Sequence, residues 1–242
     1  MLGVKAAAVL SKLYVSANRN IADFSVELPD NFTVTCHAGA LFTSPNTLRS
    51  VRAALEWGAQ IVEFDVSFRP DGTPVIIHNS KPAENEGVLL SDALALVATS
   101  DICKINLDIK STANLPAVDK LVRQYNLFDR VFYTGVFEDW VETVRNTSEI
   151  PYYLNYNISE EEAENGDALQ VVADKTISLG AVGINSNHRH ANDMFVEVAH
   201  KNGLLVSLWT ANKIEDMCRV LKLKPDNITT KNPAILNCII NK

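Results

Sequence analysis

Short β-branched runs, polar loops and helical stripes succeed one another along the whole chain, and this alternation restricts its fold more than any other feature. Eight candidate strands read Thr33–His37, Ile61–Val66, Lys104–Ile109, Val131–Thr134, Tyr152–Asn155, Ala181–Asn185, Leu204–Trp209 and Asn227–Thr230. Helical spacing fills most of the gaps. In Asn46–Trp57, Leu48, Val51 and Leu55 share a face and Gly58 is placed as the C-cap. In Ala191–Asn202, Met194, Phe195 and Val198 are expected inside, with Gly203 ending the helix. Strands alternating with helices favour a parallel sheet, and a count of eight favours closure into a (β/α)8 TIM barrel.

One further run breaks the alternation. Pro74–His78 follows Val66 too closely for a parallel crossover, which needs a dozen or more residues. The intervening Arg69-Pro70-Asp71-Gly72 is turn chemistry, so the run is expected to fold back as an antiparallel hairpin arm after the second strand. Counting outward from Asp71-Gly72 brings His78 near Asp65. Ahead of the barrel, Val4, Ala8, Val9 and Leu13 predict one apolar stripe of an extra N-terminal helix.

The 242 residues suit one such barrel, and no Pro/Gly/Ser-rich linker divides them. The expectation is a single domain, residues 1–30 forming a helical extension and 31–242 the barrel. A net charge of −7 argues against a nucleic-acid partner and leaves any anion site in need of its own local cation. No stretch is long enough for stable membrane insertion. The four cysteines, Cys36, Cys103, Cys218 and Cys238, form no CxxC pair and are read as buried thiols of a cytoplasmic protein. Oligomeric state leaves no trace in the sequence.

Side chains at the C-terminal ends of barrel strands line the active face. Those ends carry His37, Glu63 with Asp65, and Asp108 with Lys110; Asn155, Asn185, Trp209 and Thr230 follow. Glu63 and Asp65, two apart on a strand, point to the same side. Two carboxylates so close repel unless a cation lies between them, and oxygen ligands suit Mg²⁺ or Ca²⁺; Asp108 could complete the set. The alternative is that these acids are strand-end caps in surface ion pairs.

The stretch from CHAG at 36–39 through SPNTLRSVRAALEWGAQIVEFDVSFRPDGTPVIIHN resembles the N-terminal signature of the glycerophosphodiester phosphodiesterase family. That signature comprises a His-Arg-Gly strand end, a Glu-x-Asp pair, a Lys-Asp-Gly-like turn and a His-Asp. Downstream, NLDIK (106–110), SLWTAN (207–212) and NITTKNP (227–233) resemble the family's acid-x-Lys, Trp-Thr-x-Asn and Thr-Asp-x-Pro segments. The resemblance implies Glu63, Asp65 and Asp108 as metal ligands, and His37 and His78 as the acid/base pair. It gives Lys110 a phosphate oxygen and Trp209 the wall of the alcohol pocket. The implied reaction is hydrolysis of a glycerophosphodiester to glycerol 3-phosphate and an alcohol. A phospholipase C- or D-like lyase acting on a larger lipid headgroup and a non-catalytic phosphodiester-binding barrel are the alternatives.

Several positions depart from the pattern. Ala38 stands where the family has arginine, Ser44-Pro45-Asn46-Thr47 lacks the acid of Pro-Glu-Asn-Thr, Asn79 replaces an acid, and Lys231 replaces the terminal aspartate. The third acid is Asp108 rather than the commoner Glu, and the insertion after the second histidine is nearly absent. The lost arginine removes a bidentate phosphate contact. Arg189, in His188-Arg189-His190, or Lys231 is expected to supply a second phosphate contact in its place. The acidic run Glu160–Glu164 reads as a solvated helix start.

Overall fold

In the computed structural model, which describes residues 2–17 and 24–241, the eight runs become eight parallel strands closed into a ring. The strands in chain order are β1 (Thr33–Cys36), β2 (Ile61–Phe68), β3 (Pro74–Ile76), β4 (Val88–Leu89), β5 (Lys104–Ile109), β6 (Val131–Val136), β7 (Tyr152–Asn155), β8 (Gly183–Asn187), β9 (Leu205–Trp209) and β10 (Asn227–Thr230). The helices are α1 (Leu2–Ala17), α2 (Leu48–Trp57), α3 (Leu90–Val97), α4 (Leu115–Gln124), α5 (Glu138–Thr147), α6 (Glu160–Ala163), α7 (Gly166–Ser178), α8 (Asp193–Lys201), α9 (Ile214–Lys222) and α10 (Pro233–Ile240). β1 closes the barrel by pairing in parallel with both β10 and β2, while β3 and β4 stand outside the ring.

Strand alternation separates two environments. Val62, Phe64 and Val66 of β2, Ile105, Leu107 and Ile109 of β5, and Val206 and Leu208 of β9 are buried with the helices. Burial of each such side chain contributes roughly 1.5–3 kcal/mol. The alternate positions are polar: Glu63, Asp65 and Ser67 on β2, Asn106 and Asp108 on β5, Ser207 on β9. Several of the buried ones satisfy one another. Asn227 Oδ1 accepts from Ser207 Oγ at 3.1 Å, and Thr134 Oγ1 donates to Asn106 Oδ1 at 2.8 Å.

The arm forms as the turn chemistry requires, but one residue off the count: the turn centres on Asp71, Asp65 faces Ile77, and His78 lies one residue beyond. The Gly72 N–H donates to the Arg69 carbonyl at 2.8 Å, Asp71 Oδ1 accepts the Thr73 N–H at 2.9 Å, and Gly72 takes a left-handed φ of +82°. β3 then runs antiparallel to β2, with Val66 opposite Ile76 and Phe68 opposite Pro74. The Ile77 N–H continues the ladder to the Asp65 carbonyl at 2.9 Å, which carries His78 back to the strand end.

Two helix faces differ from expectation. α1 packs against α10 and α2 through Val4, Ala7, Ala8, Ser11 and Val15, whereas Val9 and Leu13 are 59% and 61% exposed. Small side chains let the helix axes approach closely, so that face is the one covered. On α8 the buried residues are Phe195, Val196 and Ala199, and Met194 lies outside, beside the first turn of α7 at Gly166. α2 is as expected: the Thr47 side chain caps its start and Gly58, φ +83°, ends it. The acidic run opens α6, with Ser159 and Glu162 completing a capping box. Cys36 and Cys103 are buried, whereas Cys218 and Cys238 are half-buried. Burial pushes the Cys36 thiol up to about 12 and the Cys103 thiol to about 11.

Candidate active site

A cavity of about 640 Å³ opens at the C-terminal ends of the strands. Parallel pairing of β2 with β5 sets Glu63 beside Asn106 and Asp65 directly beside Asp108. Adjacent strands lie only ~4.8 Å apart, so the two aspartates are forced together on one face. One oxygen each from Glu63, Asp65 and Asp108 falls within 4.8 Å of the others.

Carboxylates in this arrangement are poorly compensated. Burial, then repulsion from Asp108 and Asp65, pushes Glu63 well above the usual carboxylate range, although the Ala38 N–H donates to its Oε2 at 2.8 Å. Burial likewise raises Asp108, with Lys110 opposing. Lys110 Nζ lies 2.6 Å from Asp108 Oδ2 and 3.0 Å from Asp65 Oδ1. Burial works against the charge on Lys110, but the two aspartates outweigh it and hold its pKa above the ordinary value. One ammonium therefore faces three carboxylates. Asp108 Oδ1 is buried and finds no hydrogen-bond partner among the described residues. An orphaned carboxylate oxygen among three converging acids fits a hard divalent cation.

His37 and His78 both line this cavity. His37 Nδ1 lies 2.8 Å from the Ala38 carbonyl, a bond it makes as donor, leaving Nε2 as the proton acceptor of the neutral ring. Burial holds His37 below the usual imidazole range; the charge of Lys231 acts the same way, and the Ala38 carbonyl, Asp65 and Asp108 oppose. His78 stands exposed at the rim on the arm. Trp209 lines another side, its Nε1 buried with no hydrogen-bond partner among the described residues, and a cis peptide bond joins it to Thr210.

The two candidate replacements for the missing arginine separate. Lys231 lines the cavity, close enough to His37 to act on its charge. Arg189 is not brought there: it is exposed in the turn after β8, where its N–H donates to Asn187 Oδ1 at 3.0 Å. Thr229 lines the cavity, while Thr230 is turned to Asn212. Asn155 and Asn185 line it as expected.

Residues not singled out in the sequence also join the site. Asn46, at φ +54°, gives its Nδ2 to Asp65 Oδ2 at 2.6 Å and accepts the Asp65 N–H on Oδ1 at 3.0 Å. An asparagine directly ahead of a Thr cap is a local signal for such a left-handed turn. Phe137 and Trp140, packed edge to face with centroids 6.4 Å apart, line the wall that follows β6. No spacing rule marks aromatics at a helix start of this kind.

The model of the glycerophosphoryl diester phosphodiesterase family matches residues 37–86 and 79–235, which spans every element of the site. The chain belongs to that family. A glycerophosphodiester phosphodiesterase of Caldanaerobacter subterraneus subsp. tengcongensis is 23% identical over 246 residues, covering 86% of this chain and 98% of the relative. Among solved structures, a candidate glycerophosphoryl diester phosphodiesterase of Silicibacter pomeroyi superposes with a TM-score of 0.73 at 20% identity, covering 90% of this chain and 95% of that one. An Oleispira antarctica phosphodiesterase in complex with the product sn-glycerol-3-phosphate gives 0.67 at 16% identity, covering 89% and 98%. These likenesses extend the family's barrel over the chain; the site itself rests on its own residues.

Proposed function

We propose that the chain hydrolyses glycerophosphodiesters to glycerol 3-phosphate and an alcohol, using a divalent cation, Mg²⁺ or Ca²⁺, and a His37–His78 acid/base pair. The observation that carries this reading is the triad Glu63, Asp65 and Asp108 gathered in a cavity that two histidines also line. The three carboxylates would hold the cation, which when bound offsets the negative charge of the phosphodiester and polarises it. His37, kept neutral by burial and oriented through Nδ1, takes the proton of the attacking hydroxyl on Nε2. His78, at the open rim, returns a proton to the departing alkoxide, so the alcohol leaves neutral. Lys110 and Lys231 bring positive charge to the phosphate side, where the family's arginine is replaced by Ala38. Trp209 walls the pocket for the glycerol or alcohol part.

Turnover of glycerophosphocholine with and without Mg²⁺, Ca²⁺ or Mn²⁺ tests the proposal. Activity should appear with the ion and vanish in chelator, and His37→Ala and His78→Ala should each lower kcat by roughly 10²-fold or more. Binding of the diester without turnover under every ion would point to a phosphodiester-binding barrel instead.

A further inference from the structure

Asp108 Oδ1 needs space, and the neighbouring strand supplies it by lacking a side chain. β6 pairs Tyr133 with Tyr152 but Val136 with Leu154, so one extra residue is accommodated between them as a bulge. Gly135 sits in that bulge at φ +75°. A Cβ at Gly135 would overlap Asp108 Oδ1 and come within 2.5 Å of the Ile109 carbonyl oxygen. The bulge is also held from the other side. The Gly135 N–H donates to Asn155 Oδ1 at 2.9 Å, and Asn185 Nδ2 donates to the same oxygen at 3.0 Å.

We propose that Gly135, pinned by Asn155, is a positioning residue for the cation site, its bare Cα leaving room for the Asp108 carboxylate to sit beside Glu63 and Asp65. The inference rests on the metal reading above and adds a residue to it. The orphaned oxygen and the bare Cα face each other, so a side chain here displaces the carboxylate. Loss of the Asn155 acceptor frees the bulge to move toward Asp108 without adding any atom there.

The test is calorimetric titration of metal-free protein with Mn²⁺ and Mg²⁺, beside thermal melts of each metal-free variant. Gly135→Ala and Asn155→Ala should each bind at least tenfold more weakly than the parent. Val220→Ala, a destabilised control in the buried face of α9, should keep parental affinity despite a lower Tm. If Gly135→Ala fails to fold, Asn155→Ala decides, because it creates no overlap. Parental affinity in either folded site variant overturns the inference, as does an equal loss in Val220→Ala. A parent that binds neither ion defeats the metal reading itself, a result distinct from either of these.

Discussion

Asn46 grips Asp65 with both ends of its carboxamide, and this small clamp sets the direction of a ligand candidate. A carboxylate buried beside two others rotates away from them unless something holds it, and Lys110 alone holds only one of its oxygens. Groups that orient ligands in this way typically cost 10–100-fold in metal affinity or activity when removed. Asn46→Ala should therefore lose turnover by that order, with weaker cation binding and little change in the fold. Full activity at saturating metal in Asn46→Ala would show that the clamp is dispensable. Asn46→Asp should be worse than Ala, since it sets a fourth carboxylate against the other three. At this scale the sequence was only partly readable. Glu63, Asp65 and Asp108 stand out because strand periodicity and pairing act on them directly. Asn46 and Phe137 reach the site through loop and cap conformation and Trp140 from the first turn of α5, placements that follow from contacts made after the strands assemble.

The β2–β3 arm shows how an element converts turn chemistry into site geometry. Asp71-Gly72 fixes the hairpin length, the ladder then pairs Val66 with Ile76, and His78 arrives at the rim. Because side chains alternate along a strand, a one-residue slip turns every one of them to the opposite face. Inserting one glycine between Gly72 and Thr73 should therefore lower kcat as His78→Ala does, while cation affinity, set by β2 and β5, persists. Parental kcat in the insertion variant would mean that the arm's register does not place the histidine. The arm was legible because Pro, Asp and Gly leave few alternatives in so short a connection. The face of α1 was not, because Val9, Leu10 and Leu13 put apolar residues on the side opposite the one that packs. Spacing alone cannot choose between two apolar stripes; close packing of Ala7, Ala8 and Ser11 on α10 and α2 made the choice.

The whole molecule carries the strain of its own site, and pH should reveal it. Burial and mutual repulsion hold Glu63 well above the usual carboxylate range, and burial raises Asp108. A carboxyl whose pKa is raised by folding binds its proton more tightly in the folded state than in the unfolded one. Its stabilising contribution is complete below the unfolded value, near 4.3 for a free glutamate as an approximate reference, and is lost as pH rises through the folded value. Metal-free protein should thus lose stability as pH climbs out of the acidic carboxylate range. Glu63→Gln cannot titrate there and should decline less. A cation that binds only the folded state reverses the loss, by about 2.7 kcal/mol at a hundredfold excess over Kd. In a chain of this size that corresponds to roughly 5–10 °C in Tm. Melts from pH 4 to 8, in chelator and in Mn²⁺, compare parent with Glu63→Gln. Parallel Tm curves for the two proteins in chelator would show that Glu63 is not the group destabilised by its neighbours.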